Sequence, residues 1–316
     1  MTPFAFVFPG QGSQAVGMLD AWGEHPVVRT AVEEASDALG QDLGALIREG
    51  PKEVLSLTTN TQPVMLLAGV AAYRVWMAEV GVAPRVVAGH SLGEYAALVA
   101  AGVFSLGQAV PLVRLRAQAM QDAVPVGAGA MAAVLGLDAK RVIEVCREVQ
   151  DKFGPNSAEV VEAVNFNDPM QTVIAGSKLA VDTACEAVKA AGAKRALPLP
   201  VSAPFHSSLM RPAADRLEQA LKALELATPI LPVVHNVDVA VHTDVASIRQ
   251  ALVQQASSPV RWVECVMAIK AQGIGHVLEC GPGKVLSGLV KRIDPELTGA
   301  AVYDPATLQS AKELLS

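Results

Sequence analysis

The segment Gly89-His90-Ser91-Leu92-Gly93 constrains this chain more than any other. It stands between a short apolar run, Val86-Val87-Ala88, and an Ala-rich run from Glu94 to Ala101 that ends at Gly102. The first reads as a buried strand and the second as a helix stopped by its glycine. G-x-S-x-G in that setting predicts a sharp strand-to-helix turn. Flanking glycines remove side chains that would clash, and the serine hydroxyl is forced outward in a strained conformation. The helix N-terminus behind it offers free N–H groups and the positive end of a dipole to a developing oxyanion. The same pentapeptide arises in ordinary Gly-rich turns, so the strand and helix around it are what make Ser91 a candidate nucleophile.

The remaining pattern is also α/β. Phe4 to Phe8 is an apolar run ended by Pro9-Gly10, which predicts a buried strand followed by the loop Gly10-Gln11-Gly12-Ser13-Gln14. A buried helix is expected over Gln62–Met77, opening at Pro63, because proline suits the first helical position. Ser105 and Gln108 have capping-box spacing, which predicts a helix from Leu106 to Gln121. Beyond Pro125 the texture changes. Strands are expected within Val126–Gly136, at Val160–Val164, at Thr172–Ala175 and at Lys194–Leu199, with Asn165 to Pro169 as a loop between the second and third. Helices are expected at Asp138–Phe153 and Leu179–Ala191. That β-α-β-β-α-β order is the ferredoxin-like one and spans 125–198 as an insert. An α/β pattern resumes afterwards, with a helix near Leu209–Leu224 and a strand at His276–Glu279 leading through Gly281-Pro282-Gly283 into a helix from Lys284 to Arg292.

A serine hydroxyl needs a base to take its proton. Of the six histidines, His25 and His242 lie in polar stretches, His235 and His276 adjoin apolar strands, and His90 beside the serine reads as structural. His206 stands in Ala203-Pro204-Phe205-His206-Ser207-Ser208, where Pro204 stiffens the loop and the serines can cap the next helix. It is the best base candidate. A hydrolase triad would add an acid. Asp138, Asp151, Asp168 and Asp182 all fall between serine and histidine, and none has a distinguishing context. A backbone carbonyl could orient the imidazole instead.

Composition removes other classes. Half of the 316 residues are hydrophobic (51%), 18% are charged and the net charge is -6, which describes a globular chain and gives no sign of a nucleic-acid binder, though a local basic patch is compatible with it. Cys146, Cys185, Cys265 and Cys280 form no Cys-x-x-Cys pair, so neither a metal site nor a disulfide framework is expected. Met1-Thr2-Pro3-Phe4 carries no basic leader, and the apolar run Pro63–Tyr73 is too short to span a bilayer. A cytoplasmic monomer without membrane contact is expected.

The motifs FPGQGSQ (8–14), TQP (61–63), GHSLGEYAAL (89–98), RAQAMQ (116–121), GAGAM (127–131), VNFN (164–167), APFHSSLM (203–210) and GPGKVL (281–286) together resemble the malonyl-CoA:acyl carrier protein transacylases, relatives of polyketide synthase acyltransferase domains. The resemblance covers nearly the whole chain. It implies a hydrolase-like α/β core with a mostly parallel sheet (1–124 and 199–316) and an inserted ferredoxin-like subdomain (125–198). It implies malonyl transfer from malonyl-CoA to acyl carrier protein in fatty acid or polyketide synthesis, with no metal or redox cofactor. It also implies roles: Ser91 acylated, His206 as base and acid, the Gln11 and Leu92 amides as oxyanion hole, Arg116 on the malonyl carboxylate, and the Gln255 carbonyl orienting His206. Arg116 has no acid at i±4 (Leu112, Met120), so an inward-facing guanidinium there would suit a planar carboxylate. Phe205 resembles the malonyl-type pattern, where its ring would crowd a 2-methyl group. Lys284, Lys291, Arg292, Lys194 and Arg195 are candidates for a basic rim facing an acidic carrier protein. Gly281-Pro282-Gly283-Lys284 lacks P-loop spacing and reads as structural. A serine esterase would share the Ser91 motif but have no need of Arg116, and a non-catalytic scaffold would need none of Ser91, His206 and Arg116.

Overall fold

The computed structural model describes residues 1–201 and 203–316. In chain order the elements begin β1 (Phe4–Phe8), α1 (Pro26–Leu39), α2 (Leu43–Glu49), α3 (Lys52–Leu55), α4 (Thr58–Glu79), β2 (Val86–Gly89), α5 (Gly93–Ala100) and α6 (Leu106–Asp122). Next come β3 (Gly129–Leu135), α7 (Ala139–Phe153), β4 (Val161–Asp168), β5 (Gln171–Ser177), α8 (Lys178–Ala190) and β6 (Arg195–Pro198). The chain finishes with α9 (Arg211–Lys222), β7 (Val233–Val234), α10 (Val245–Ala256), α11 (Trp262–Ala271), β8 (His276–Cys280), α12 (Val285–Ile293), β9 (Thr298–Val302) and α13 (Pro305–Leu315).

Two sheets result. The larger has the order β7-β2-β1-β8-β9, and every pairing in it is parallel. A parallel sheet must be covered on both faces, and β1 shows how the sequence meets that need. Phe4, Phe6 and Phe8 point into one core with Trp76, while Ala5 and Val7 face another with Trp262 and Ile269. The smaller sheet has the order β4-β5-β3-β6, and all its pairings are antiparallel. Its helices α7 and α8 cover one face and supply a separate core. The other face, with Met131, Val164, Val173 and Ala175, turns toward Phe205 and the larger unit. The fold is thus the expected α/β core with an inserted ferredoxin-like unit.

Three local expectations are corrected. The helix expected to open at Pro63 begins at Thr58, with Pro63 inside it. The preceding polar residues are buried rather than capping: Thr61 Oγ1 donates to the Leu55 carbonyl (2.7 Å) and Asn60 Nδ2 to that of Val54 (2.9 Å). Asn165 to Asp168 belongs to β4 and not to a loop, so the turn shrinks to Pro169-Met170. Bulges between Ala163 and Asn165 and between Phe166 and Asp168 shift its register, as extra residues in an edge strand do. Ser207 does not cap a helix with its side chain: its hydroxyl donates back to the Pro204 carbonyl (2.7 Å), and a short 3-10 turn precedes α9. The capping box of Ser105 and Gln108 forms as expected. Among the described residues no helix is long and apolar enough to cross a membrane.

Candidate active site

The turn after β2 needs both of its glycines. A Cβ on Gly89 would lie 1.9 Å from the Gly93 carbonyl carbon, and one on Gly93 would lie 2.0 Å from the Phe8 carbonyl oxygen. Any side chain there would push α5 off the sheet. Between them Ser91 adopts φ 52°, a left-handed conformation costly for a non-glycine residue. It is held by its neighbours: Asn236 Oδ1 accepts the Ser91 N–H (2.7 Å), and Asn236 Nδ2 donates to the Gly89 carbonyl (2.7 Å). Bonds within the turn run from Gly93 to His90, Glu94 to Ser91 and Tyr95 to Leu92, which leaves the Leu92 amide unused by them.

Ser91 Oγ lies 2.7 Å from His206 Nε2, although 115 residues separate them. His206 Nδ1 lies 2.9 Å from the main-chain carbonyl of Gln255. A carbonyl only accepts, so Nδ1 carries the ring proton and Nε2 is free to take the serine's. His206 is 3% exposed. Burial first, and then the positive charge of Arg116, push its pKa down to about 3 against the opposing bond to Gln255. The imidazole is therefore neutral in the resting site, as a base must be. Asp138, Asp168 and Asp182 bond elsewhere, to Arg141 N, to Met170 N and Arg292, and to Lys178.

Arg116, on α6, points inward and is 2% exposed. Its Nη1 donates to Gln62 Oε1 (2.9 Å), and its Nη2 donates to Gln255 Oε1 (2.9 Å) and Ser91 Oγ (3.1 Å). All three acceptors are neutral, and Nε has no partner. Tyr95 lies beneath the guanidinium, 5.4 Å from ring centre to carbon. Burial lifts the Tyr95 phenol to about 12, so it is not a counter-ion at neutral pH. Burial also lowers the Arg116 pKa, with the charge of Glu94 acting against that shift. The side chain stays a cation, since arginine does not deprotonate in proteins. A buried planar cation with only neutral groups in contact, beside a serine hydroxyl, suits an anion chemically.

These groups line one cleft of about 200 Å³. Ser91, Leu92, Gln11, Gln62 and Arg116 form one wall, and Met131, Asn165, Asn167, Val173 and Phe205 form the other. The cleft thus lies between the two sheets, and all six candidate site residues line it or bond to groups that do. His90 proves more than a neighbour: its Nε2 lies 2.8 Å from Asn167 Oδ1 and its ring stacks edge-on against Trp262 at 5.4 Å, tying the units together. The rim candidates differ. All five are exposed, but two of them are engaged. Lys284 rests over the Tyr303 ring at 5.4 Å, and Arg292 Nε donates to Asp168 (2.8 Å). The Gly281 loop is structural as expected, since a Cβ on Gly281 would come within 3.0 Å of Gly69. Among the described residues no group of three or more His, Cys, Asp or Glu side chains is placed to hold a metal.

Gln62, Glu94, Asn167 and Asn236 were not singled out by sequence reasoning. Gln62, Glu94 and Asn167 lie within the motifs TQP, GHSLGEYAAL and VNFN, which was their signal, whereas Asn236 lies in none of the motifs.

Comparison with known proteins agrees with this geometry. Residues 5–299 match the family described as the acyl transferase domain. The malonyl CoA-acyl carrier protein transacylase of Escherichia coli strain K12 is 53% identical over 99% of this chain and 100% of its own length. The crystal structure of an acyl-carrier-protein S-malonyltransferase from Burkholderia pseudomallei 1710b is 60% identical, with a TM-score of 0.95 over 99% of this chain and 100% of that one. A structure of a type II PKS acyl-carrier protein in complex with its malonyl-transacylase is 52% identical, again with a TM-score of 0.95 over 99% and 100% of the two chains.

Proposed function

The chain belongs to the acyl transferase family, among its malonyl CoA-acyl carrier protein transacylases, and from that premise we propose how its own residues carry the malonyl group from malonyl-CoA to the phosphopantetheine thiol of acyl carrier protein. The observation that carries the reading is the placement of one serine oxygen within hydrogen-bond reach of both a neutral imidazole and an unpaired guanidinium.

Malonyl-CoA enters with its free carboxylate on Arg116. Ser91 Oγ attacks the thioester carbon while its proton passes to His206 Nε2. The carbonyl oxygen, now negative, is received by the Gln11 and Leu92 amides. The Gln255 carbonyl holds Nδ1–H and stabilises the imidazolium, which supports a site without an acidic third member. The C–S bond breaks, the CoA thiolate takes the proton from Nε2, and a malonyl-serine ester remains. Acylation also changes Arg116's contacts, because an ester oxygen is a poorer acceptor than the hydroxyl it replaces. The donor once spent on Ser91 is then released toward the malonyl carboxylate. The carrier thiol repeats the sequence in reverse. Every bond change is accounted for by these residues, with no metal or redox step written.

We further propose that residues 1–124 with 199–316 act as the catalytic unit and 125–198 as the second wall of the cleft. The chain would act as a cytoplasmic monomer in fatty acid or polyketide synthesis, with Phe205 favouring malonyl over 2-methylmalonyl groups. Intact mass after incubation with malonyl-CoA tests the mechanism. One malonyl adduct is expected, lost on adding holo-acyl carrier protein and absent in Ser91→Ala. An adduct that persists in Ser91→Ala assigns the nucleophile elsewhere.

A further inference from the structure

Beneath the serine turn runs a chain of buried polar groups to which the transfer steps above assign no bond change. Arg116 Nη2 donates to Gln255 Oε1, and Gln255 Nε2 donates to Glu94 Oε2 (2.9 Å) and to the Ser91 carbonyl (3.0 Å). Glu94 Oε2 also accepts the Asn236 N–H (3.0 Å), and Glu94 Oε1 lies 2.7 Å from His235 Nδ1. Glu94, His235, Asn236 and Gln255 are all 0% exposed. The direction of the Gln255 amide is fixed by chemistry, since a guanidinium only donates and a carboxylate only accepts. Gln255 is therefore a neutral spacer between a buried cation and a buried anion that do not touch.

That spacing has a consequence for the substrate. Direct contact between Glu94 and Arg116 would close the guanidinium to any other carboxylate. Removal of Glu94's charge would leave Arg116 bare in a dry site, where it would grip an arriving anion hard. Tight ground-state binding lowers KM without raising kcat, and it slows release of the product that shares the group. We propose that Glu94 is a positioning residue, a counter-charge held one amide away from Arg116, which loosens the hold on the malonyl carboxylate so that the acyl group can be handed on. The proposal rests on Arg116 binding that carboxylate. An acetyl group carries no charge and feels none of this, so the ratio of malonyl to acetyl transfer reports it.

Glu94→Gln isolates the charge. The new amide oxygen can take the place of Oε2 and accept from Asn236 and Gln255. Its NH₂ can take the place of Oε1 and donate to His235 Nδ1, because His235 Nε2 has no partner and can carry the ring proton instead. Steady-state kcat and KM for malonyl-CoA and acetyl-CoA, with holo-acyl carrier protein as acceptor, are measured on the full chain and on Glu94→Gln, Glu94→Asp and Arg116→Ala. In Glu94→Gln the KM for malonyl-CoA should fall and kcat should fall with it. The malonyl-to-acetyl ratio of kcat/KM should rise by at least about threefold. Glu94→Asp draws the carboxylate back by one methylene and should move the ratio the same way by less, and it decides the matter if Glu94→Gln does not fold. A ratio unchanged or lowered, with both substrates slowed alike, makes Glu94 a structural support and overturns the proposal. Arg116→Ala separates the two failures. If it slows both substrates equally, the carboxylate reading falls and takes this one with it. If it is selective for malonyl while the Glu94 variants leave the ratio alone, only the Glu94 proposal falls.

Discussion

Arg116→Ala should convert the site from one that prefers a charged acyl group to one that does not. In the resting protein the guanidinium satisfies three neutral acceptors, Gln62, Gln255 and Ser91, so it can wait with no anion in direct contact. A malonyl carboxylate replaces the Ser91 contact with charge-assisted bonds in a buried setting. Losing one side of such a pair costs about 3 kcal/mol or more, so kcat/KM for malonyl-CoA should fall by at least about 10²-fold. An acetyl methyl loses nothing by the change and gains a neutral wall, so acetyl transfer should hold within about threefold or rise. The variant should also be less stable, because the Oε1 atoms of Gln62 and Gln255 each lose a donor while buried. Arg116→Lys keeps the charge but not the planar two-point geometry and should rescue malonyl transfer only in part. The assay is kcat/KM for both thioesters on all three proteins, with thermal unfolding alongside. Equal losses for both substrates in Arg116→Ala would mean that the arginine only braces Gln62 and Gln255, and the carboxylate assignment would be refuted.

His206→Ala should slow acylation of Ser91 by at least about 10²-fold, measured as the rate of malonyl adduct formation; a near-normal rate would assign the base to another group. With the His206 pKa held down at about 3 by burial and by Arg116, the imidazole stays neutral far below its ordinary value. Acylation of the native chain should therefore stay flat as pH falls from about 7 to about 5, and an acid limb near the ordinary histidine value of about 6.5 would contradict the burial argument. The sign for stability is opposite to that of a salt-bridged histidine: between about 6.5 and about 3 the unfolded chain binds the proton and the folded one does not. Folding thus weakens as pH falls through that window, and His206→Ala should flatten the loss in unfolding midpoint. If the exposed Lys194, Arg195 and Lys291 meet an acidic carrier, transfer to carrier protein should weaken with salt more than transfer to free pantetheine, and equal salt dependence would remove them from the interface.

What could be read from the sequence was what local pattern controls. The alternating phenylalanines of β1, the strand and helix flanking Ser91, the capping box at Ser105 and the β-α-β-β-α-β order all follow from periodicity and turn chemistry, and each is present. Polar residues recruited by distant partners could not be read in that way. Thr58 to Gln62 looks like a polar lead-in to a helix, yet it is buried helix because Thr61 and Asn60 find carbonyls in the preceding turn and Gln62 finds Arg116 on the neighbouring α6. Asn165 to Asp168 looks like a turn, yet it continues β4, with Val260 N donating to the Val164 carbonyl (2.8 Å) and Phe166 N to the Val260 carbonyl (3.0 Å). Nothing in the local sequence around Asn236 announces that it clamps a turn 145 residues away. Its role exists only once β7 lies beside β2.

The backbone shows why so many buried polar groups gather here. Among the described residues only Ser91, His206 and Val239 combine a side chain with a left-handed backbone, at φ 52°, 66° and 62°. The first two are the pair proposed to react. The third closes the turn that carries His235 and Asn236, where Val239 N donates to the His235 carbonyl and His235 N to that of Ala240. Such conformations cost about 1–3 kcal/mol each, and they persist only where the surroundings over-determine them. At Ser91 the surroundings are Asn236 on the N–H and Gln255 on the carbonyl. At His206 they are the Gln255 carbonyl on the ring and the buried loop around Pro204. Gln255 thus holds both strained residues, one through its side chain and the other through its main chain, while its amide oxygen orients Arg116. The proposed nucleophile, its proposed base and the cation beside them are fixed relative to one another by a single residue on α10. That shared support makes the Ser91–His206 distance of 2.7 Å a property of the packed core rather than of either loop. The rigid placement that acyl transfer requires is then present before substrate arrives.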